Sequence, residues 1–166
     1  MKNITFIVPG LIIVLVALGC GLLGSLGIVV KVDDINTTLK PKTAIADVQN
    51  GTFAVANYEL NFSDSDLKVV EDLTQPSAND QILITFKVNR NAGGSDVERG
   101  KFTPENIKWM HVIYFKEGAL KRKALKNMSG SVLLPNFRTN ETEIPGALDI
   151  TDGSTVLKGS FMAQKL

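Results

Sequence analysis

The sequence predicts one N-terminal transmembrane helix followed by an all-β domain, a β-sandwich of immunoglobulin-like or similar type with about 7–9 short strands. Three observations predict it. Residues 4–30 form a run of 27 without a charged side chain. Beyond that run, apolar residues recur with a period of two rather than 3.6. Turn signals (Asn50-Gly51, Gln75-Pro76-Ser77, Ala92-Gly93-Gly94, Glu117-Gly118, Pro145-Gly146 and Asp152-Gly153) separate the apolar stretches, mostly at the 8–12-residue spacing of sandwich strands.

The first element is the helix, assigned to residues 1–30. A bilayer core of about 30 Å takes roughly 20 helical residues. Pro9 falls in the first turn, where a helix tolerates it. The 22 residues from Pro9 to Val30 reach about 33 Å at about 1.5 Å each. Ala17-Leu18-Gly19-Cys20 resembles a lipobox, which would make Cys20 a lipidation site, and Ala17 with Gly19 also forms a small-residue pair for ordinary cleavage. The residues after Cys20 stay apolar (GLLGSLGIVV), so an uncleaved signal anchor is expected. Lys2 lies on one side of the span, and on the other Asp33 and Asp34 offset Lys31. The positive-inside rule therefore puts the N-terminus in the cytoplasm and the C-terminal domain outside, at the cell surface or in the periplasm. Ala17, Gly21 and Ser25 are spaced by four and share a helix face, where small residues permit close helix–helix packing.

Residues 31–42 (KVDDINTTLKPK) read as a polar juxtamembrane linker, and residues 43–166 as the exported domain. Within it, Ile82, Ile84, Phe86 and Val88 alternate cleanly. Residues 52–62 change phase near Ala56-Asn57, as a β-bulge would make them do. Residues 107–115 are apolar on both faces, with Trp109, Ile113 and Phe115 opposite Met110, Val112 and Tyr114, which suits a strand covered on both sides. Residues 43–48, 67–70, 131–134, 147–150 and 155–163 complete the strand set. The expected core includes Phe53, Tyr58, Leu60, Ile82, Ile84, Phe86, Trp109, Ile113, Phe115, Leu157 and Phe161.

Little in the composition suggests catalysis. A net charge of +1 argues against a nucleic-acid binder, and a single Cys excludes a disulfide framework. No nucleophile elbow, phosphate loop or G-x-G-x-x-G is present. His111 is the only histidine, so it reads as a packed side chain rather than a metal ligand. No enzyme activity, metal or cofactor is expected. Two acidic stretches, Asp64-Ser65-Asp66 and residues 149–153, lack the full spacing of a calcium loop. Lys116, Lys121, Arg122, Lys123 and Lys126 read as a lysine-rich edge strand that discourages strand pairing, or as a contact for lipid headgroups or acidic glycans. The polar loop 89–101 is long enough to carry recognition. The most unusual feature is the number of N-x-S/T sequons. The 12 Asn and 21 Ser+Thr give about 1.5 by chance, yet six occur. Five of them, at Asn36, Asn50, Asn61, Asn127 and Asn140, lie in the expected exported part and are candidate glycosylation acceptors.

The order of a short cytoplasmic end, one apolar helix and an outer β-domain resembles archaeal pilin-like and filament-anchoring surface proteins in architecture. No Gly preceded by basic residues stands before the apolar run, so the prepilin cleavage motif is absent. The expected function is that of a non-enzymatic, single-pass surface protein. Its β-domain would dock onto or form part of an envelope, filament or membrane assembly, with the membrane and other protein chains, including its own copies, as partners. The alternative is an anchored domain or lipoprotein that binds a glycan or an ion.

Overall fold

In a computed structural model of the chain, the described residues are 26–61, 73–135 and 137–166. They form eleven strands: β1 (Gly27–Val32), β2 (Ile35–Leu39), β3 (Thr43–Asp47), β4 (Thr52–Ala56), β5 (Ile82–Val88), β6 (Lys101–Phe102), β7 (Ile107–Lys116), β8 (Ala119–Ala124), β9 (Ser129–Leu133), β10 (Glu143–Thr151) and β11 (Val156–Lys165). The only helical turns among them are α1 (Ser95–Glu98) and a 3₁₀ turn at Pro104–Asn106. The described part is thus all-β, with more strands than the 7–9 expected.

The strands join into one sheet in the order β6-β9-β10-β11-β3-β4-β5-β7-β8, with β1 added to β11 and β2 to β1. β11 organises it. β10 pairs along one of its edges from Glu143↔Gln164 to Thr151↔Val156. The other edge is shared: β1 takes the first half, antiparallel, from Lys31↔Val156 to Gly27↔Ser160. β3 takes the end, parallel, at Gln164↔Ile45 and Lys165↔Ala46. The sheet curls so that both limbs enclose one core. Ile28, Val30 and Val32 of β1, Phe53 and Val55 of β4, the Ile82–Val88 alternation of β5, Met110 and Val112 of β7, and Leu157 and Phe161 of β11 all belong to it. Phe53 stacks on Phe86 with ring centroids 4.9 Å apart, and Phe161 meets Phe86 edge-on at 6.2 Å. A second apolar cluster lies on the other face of β3, β4, β5 and β7, where Tyr58, Leu60 and Leu73 cover Ile45, Ala54, Ala56, Leu83 and Ile113. Burial there raises the Tyr58 hydroxyl's pKa well above its usual value, and the hydroxyl donates to the Thr74 carbonyl at 2.7 Å.

Several sequence-based expectations change. Residues 27–30, expected as the end of a helix, belong to β1, and the expected linker 31–42 holds most of the β1–β2 hairpin. The reason is alternation: Ile28, Val30 and Val32 are fully buried while Val29 and Lys31 point outward. A continuous apolar run conceals this, because a buried strand and a helix end look alike there. No bulge occurs at Ala56-Asn57. β4 ends, and the Asn57 side chain turns the chain away, accepting from the Ile82 amide at 2.9 Å and donating to the Asp80 carbonyl at 2.6 Å. Pro145-Gly146 is not a turn but part of β10, where Gly146 leaves room for the Phe161 ring. Trp109 and Phe115 are only half-buried. Residues 1–25 of the expected transmembrane helix 1–30, the expected strand 67–70 and Asp64-Ser65-Asp66 lie outside the described residues. Among the described residues no helix is long and apolar enough to cross a membrane.

At the end of the sheet away from Lys165, the β1–β2 turn is tied to the opposite limb. Tyr114 Oη donates to Asp33 Oδ2, Lys116 Nζ pairs with Asp34, and Lys123 Nζ lies 3.7 Å from Asp33. The bond from Lys116 lowers the Asp34 carboxyl pKa, and the same contact raises that of Lys116. Burial, then the bond to Asp33, pushes the Tyr114 hydroxyl up to about 12.

Candidate functional site

The other end of the fold carries the candidate site. Because β3 runs parallel to β11, the β3–β4 turn at residues 48–51 arrives beside the end of β11. The β9–β10 loop also arrives there, since Glu143 opposes Gln164. The loop after β5 joins them, since Thr52 at the start of β4 opposes Lys87. Between these segments lies a cleft of about 700 Å³ lined by Val48, Gln49, Arg90, residues 137–140, Lys165 and Leu166.

Its floor is rigid. Phe137 is 2% exposed and packs against Phe53 at 5.9 Å and edge-on against Phe102 at 5.4 Å. Its cations are held by main-chain carbonyls. Arg138 Nη2 donates to the carbonyls of Arg90 (3.3 Å) and Ala92 (3.0 Å). Arg90 Nη1 donates to the Gln49 carbonyl at 3.1 Å, and Lys165 Nζ to that of Thr139 at 3.4 Å. These bonds fix position without neutralising charge. Among the described residues, no Asp or Glu side chain lines the cleft. The nearby Asp47 carboxylate is turned into its own turn, where it accepts from the Asn50 amide N–H (3.0 Å) and from Asn50 Nδ2 (2.5 Å). The arrangement can hold an oxyanion by charge-assisted hydrogen bonds.

The sequence-derived candidates fall elsewhere or are spread out. Asn36 is exposed on β2, and Asn61, Asn127 and Asn140 are exposed in loops, Asn140 on the cleft wall. Asn50 differs, being half-buried with its amide nitrogen on Asp47. The structure does not gather these five into one place. Ala17, Gly21, Ser25 and Cys20 lie outside the described residues. Of the polar loop 89–101, Arg90 reaches the cleft. Of the basic stretch, Lys116 ends β7, Lys121, Arg122 and Lys123 lie on β8, which among the described residues pairs only with β7, and Lys126 follows β8. In the acidic turn 149–153, Asp152 Oδ1 accepts from the amides of Ser154 (3.1 Å) and Thr155 (2.7 Å), while Asp149 lies 3.6 Å from Lys158 Nζ. That turn is a structural cap. His111 sits on the outer face of β7 with its ring 5.3 Å from that of Trp109. Among the described residues no group of His, Cys, Asp and Glu is placed to hold a metal ion. Sequence reasoning missed the pairing of Arg90 with Arg138 and Lys165, and the lone signal was Arg90's place in a long polar loop.

In comparisons with known proteins, no family model, no curated protein and no solved structure matches this chain.

Proposed function

We propose that the chain is a non-enzymatic, single-pass membrane-anchored surface protein. Its exported domain, an immunoglobulin-like β-sandwich formed by the two facing limbs, docks onto or forms part of a larger surface assembly. One observation carries this reading. Residues 4–25 are uncharged, and only Leu26 separates them from β1, which is paired on both edges with β11 and β2. A domain joined to its anchor without slack stands at a fixed height and orientation over the bilayer. A part of an assembly needs that fixed geometry, whereas a ligand-capturing head works better on a flexible tether. β2, which among the described residues pairs only with β1 and exposes Asn36, Thr37 and Thr38, supplies an edge for a neighbouring chain.

The cleft favours a second reading, an anchored domain that binds a small anionic ligand. Two measurements on the full chain separate them. Alkaline carbonate washing of membranes should leave the chain in the pellet, and release would remove the anchor. The native mass of the detergent-extracted protein should then show other chains, or further copies, bound to it. A monomer carrying only a small ligand would favour the second reading over the first.

A further inference from the structure

We infer that the cleft at the Lys165 end is a seat for the phosphate of an anionic phospholipid headgroup in the membrane that anchors the chain. The inference rests on the anchored reading above and adds a ligand to it.

Three things point there. Arg90, Arg138 and Lys165 come from three separate segments and meet around one cavity, whose lining has no acidic side chain among the described residues. Each guanidinium carries five N–H donors, and the carbonyl contacts engage only Nη1 of Arg90 and Nη2 of Arg138. The cations are therefore held in place with donors to spare, as oxyanion recognition requires. The third point is direction. β1 is antiparallel to β11 and begins opposite Ser160, so its N-terminal end points toward the Lys165 end of β11. Leu26, just before β1, is 42% exposed. With residues 4–25 in the bilayer, the cleft lies on the side of the domain nearest the headgroups. A phosphate there relieves the mutual repulsion of three cations and fixes the domain's orientation a second time. Asn140 lines the same cleft, and a glycan on it would block a headgroup. The inference therefore requires Asn140 to stay unmodified even where Asn36 or Asn127 carries sugar.

The test uses the full chain in a non-ionic detergent. Four probes are titrated: dihexanoyl phosphatidylglycerol, dihexanoyl phosphatidylcholine, inorganic phosphate and a polyglutamate peptide. The phosphatidylglycerol should bind, and binding should weaken as salt rises. Arg90→Gln with Lys165→Gln should weaken it about fivefold per charge, so roughly 25-fold together, with an unchanged melting point. In the wild type, a photoreactive phosphatidylglycerol should cross-link to residues 137–140 or to Gln49, which keeps the test independent of the variant's folding. Equal binding of phosphatidylcholine, equal binding of free phosphate, or tighter binding of polyglutamate would each overturn the lipid assignment. Binding that the double variant leaves intact would overturn the site. The outcomes stay distinguishable from those of the anchored reading. A chain washed off by carbonate removes the anchor whatever the cleft binds, and a chain that stays while the cleft ignores the lipid removes only this inference.

Discussion

Gly159 is where the β1–β2 hairpin is most exposed to a single substitution. It sits in β11 opposite Ile28 with φ 149°, a backbone conformation that side chains other than glycine rarely adopt. A Cβ there would stand 2.0 Å from the Gly27 carbonyl oxygen and 2.8 Å from Ile28 Cα, both backbone atoms of β1. No rotamer change relieves a clash with backbone, so β1 must move. Ile28, Val30 and Val32 are each 0% exposed. At about 1.5–3 kcal/mol for each fully buried side chain, complete detachment of β1 forfeits about 5–9 kcal/mol. That rivals the roughly 5–15 kcal/mol that holds a whole domain together. Partial accommodation leaves the backbone strain of about 1–2 kcal/mol and part of that loss, so Gly159→Ala should cost at least about 3 kcal/mol. For a domain of this size that is a fall in melting point of roughly 10 °C. Gly153→Ala is the control, because it has φ 86° but no atom within 4 Å of the added Cβ. It should cost the strain alone. Thermal melts of both variants, with amide hydrogen exchange over residues 27–39, check the argument. If Gly159→Ala melts within about 3 °C of Gly153→Ala and its hairpin amides stay protected, the close approach of β1 to β11 is not what fixes the hairpin.

Phe86→Ala removes the ring stacked on Phe53 and met edge-on by Phe161, and should cost about 3–5 kcal/mol, measured as the shift in denaturant midpoint. The Tyr114 hydroxyl moves from 10.0 up to about 12 on folding, so the folded state holds its proton more tightly. Its contribution is intact below pH 10 and is lost as pH rises from 10 to 12; Tyr114→Phe should flatten part of that alkaline loss in stability, and an unchanged slope would count against the burial and the Asp33 contact that together raise it. Gly21→Leu with Ala17→Leu should leave membrane insertion intact and weaken co-purification of partner chains. If co-purification is untouched, the apolar segment is an anchor only. Peptide mapping of the native protein should find residues on both sides of Cys20 in one chain, whereas a lipidated Cys20 as the new N-terminus would make it a lipoprotein.

The interior strands were legible because their pattern is local. The β5 alternation of Ile82, Ile84, Phe86 and Val88 and the double-faced β7 state their burial in consecutive letters, and all but the half-buried outer residues of β7 lie in the two apolar clusters. The hairpin was hidden for an equally local reason. GIVVKV continues a membrane-like run, and INTTL is polar because β2 is an edge whose Asn36, Thr37 and Thr38 face solvent. Pro145-Gly146 misled because the same two letters that make a turn also suit a strand in which a neighbouring ring needs space.

The cleft has no local pattern at all. Gln49, Arg90, Arg138 and Lys165 are dozens of residues apart, and each alone is an ordinary surface side chain. What joins them is the parallel pairing of β3 with β11, two residue pairs long, Gln164↔Ile45 and Lys165↔Ala46. That pairing closes one limb of the sheet onto the other and sets the turn after Asp47 beside the chain's last strand. The Arg90 and Arg138 bonds to the carbonyls of Gln49, Arg90 and Ala92 then follow from closure. A chain whose net charge is only +1 thereby concentrates three positive side chains on one end. Composition averages that away, and topology restores it at the end of the domain toward which the start of β1 points.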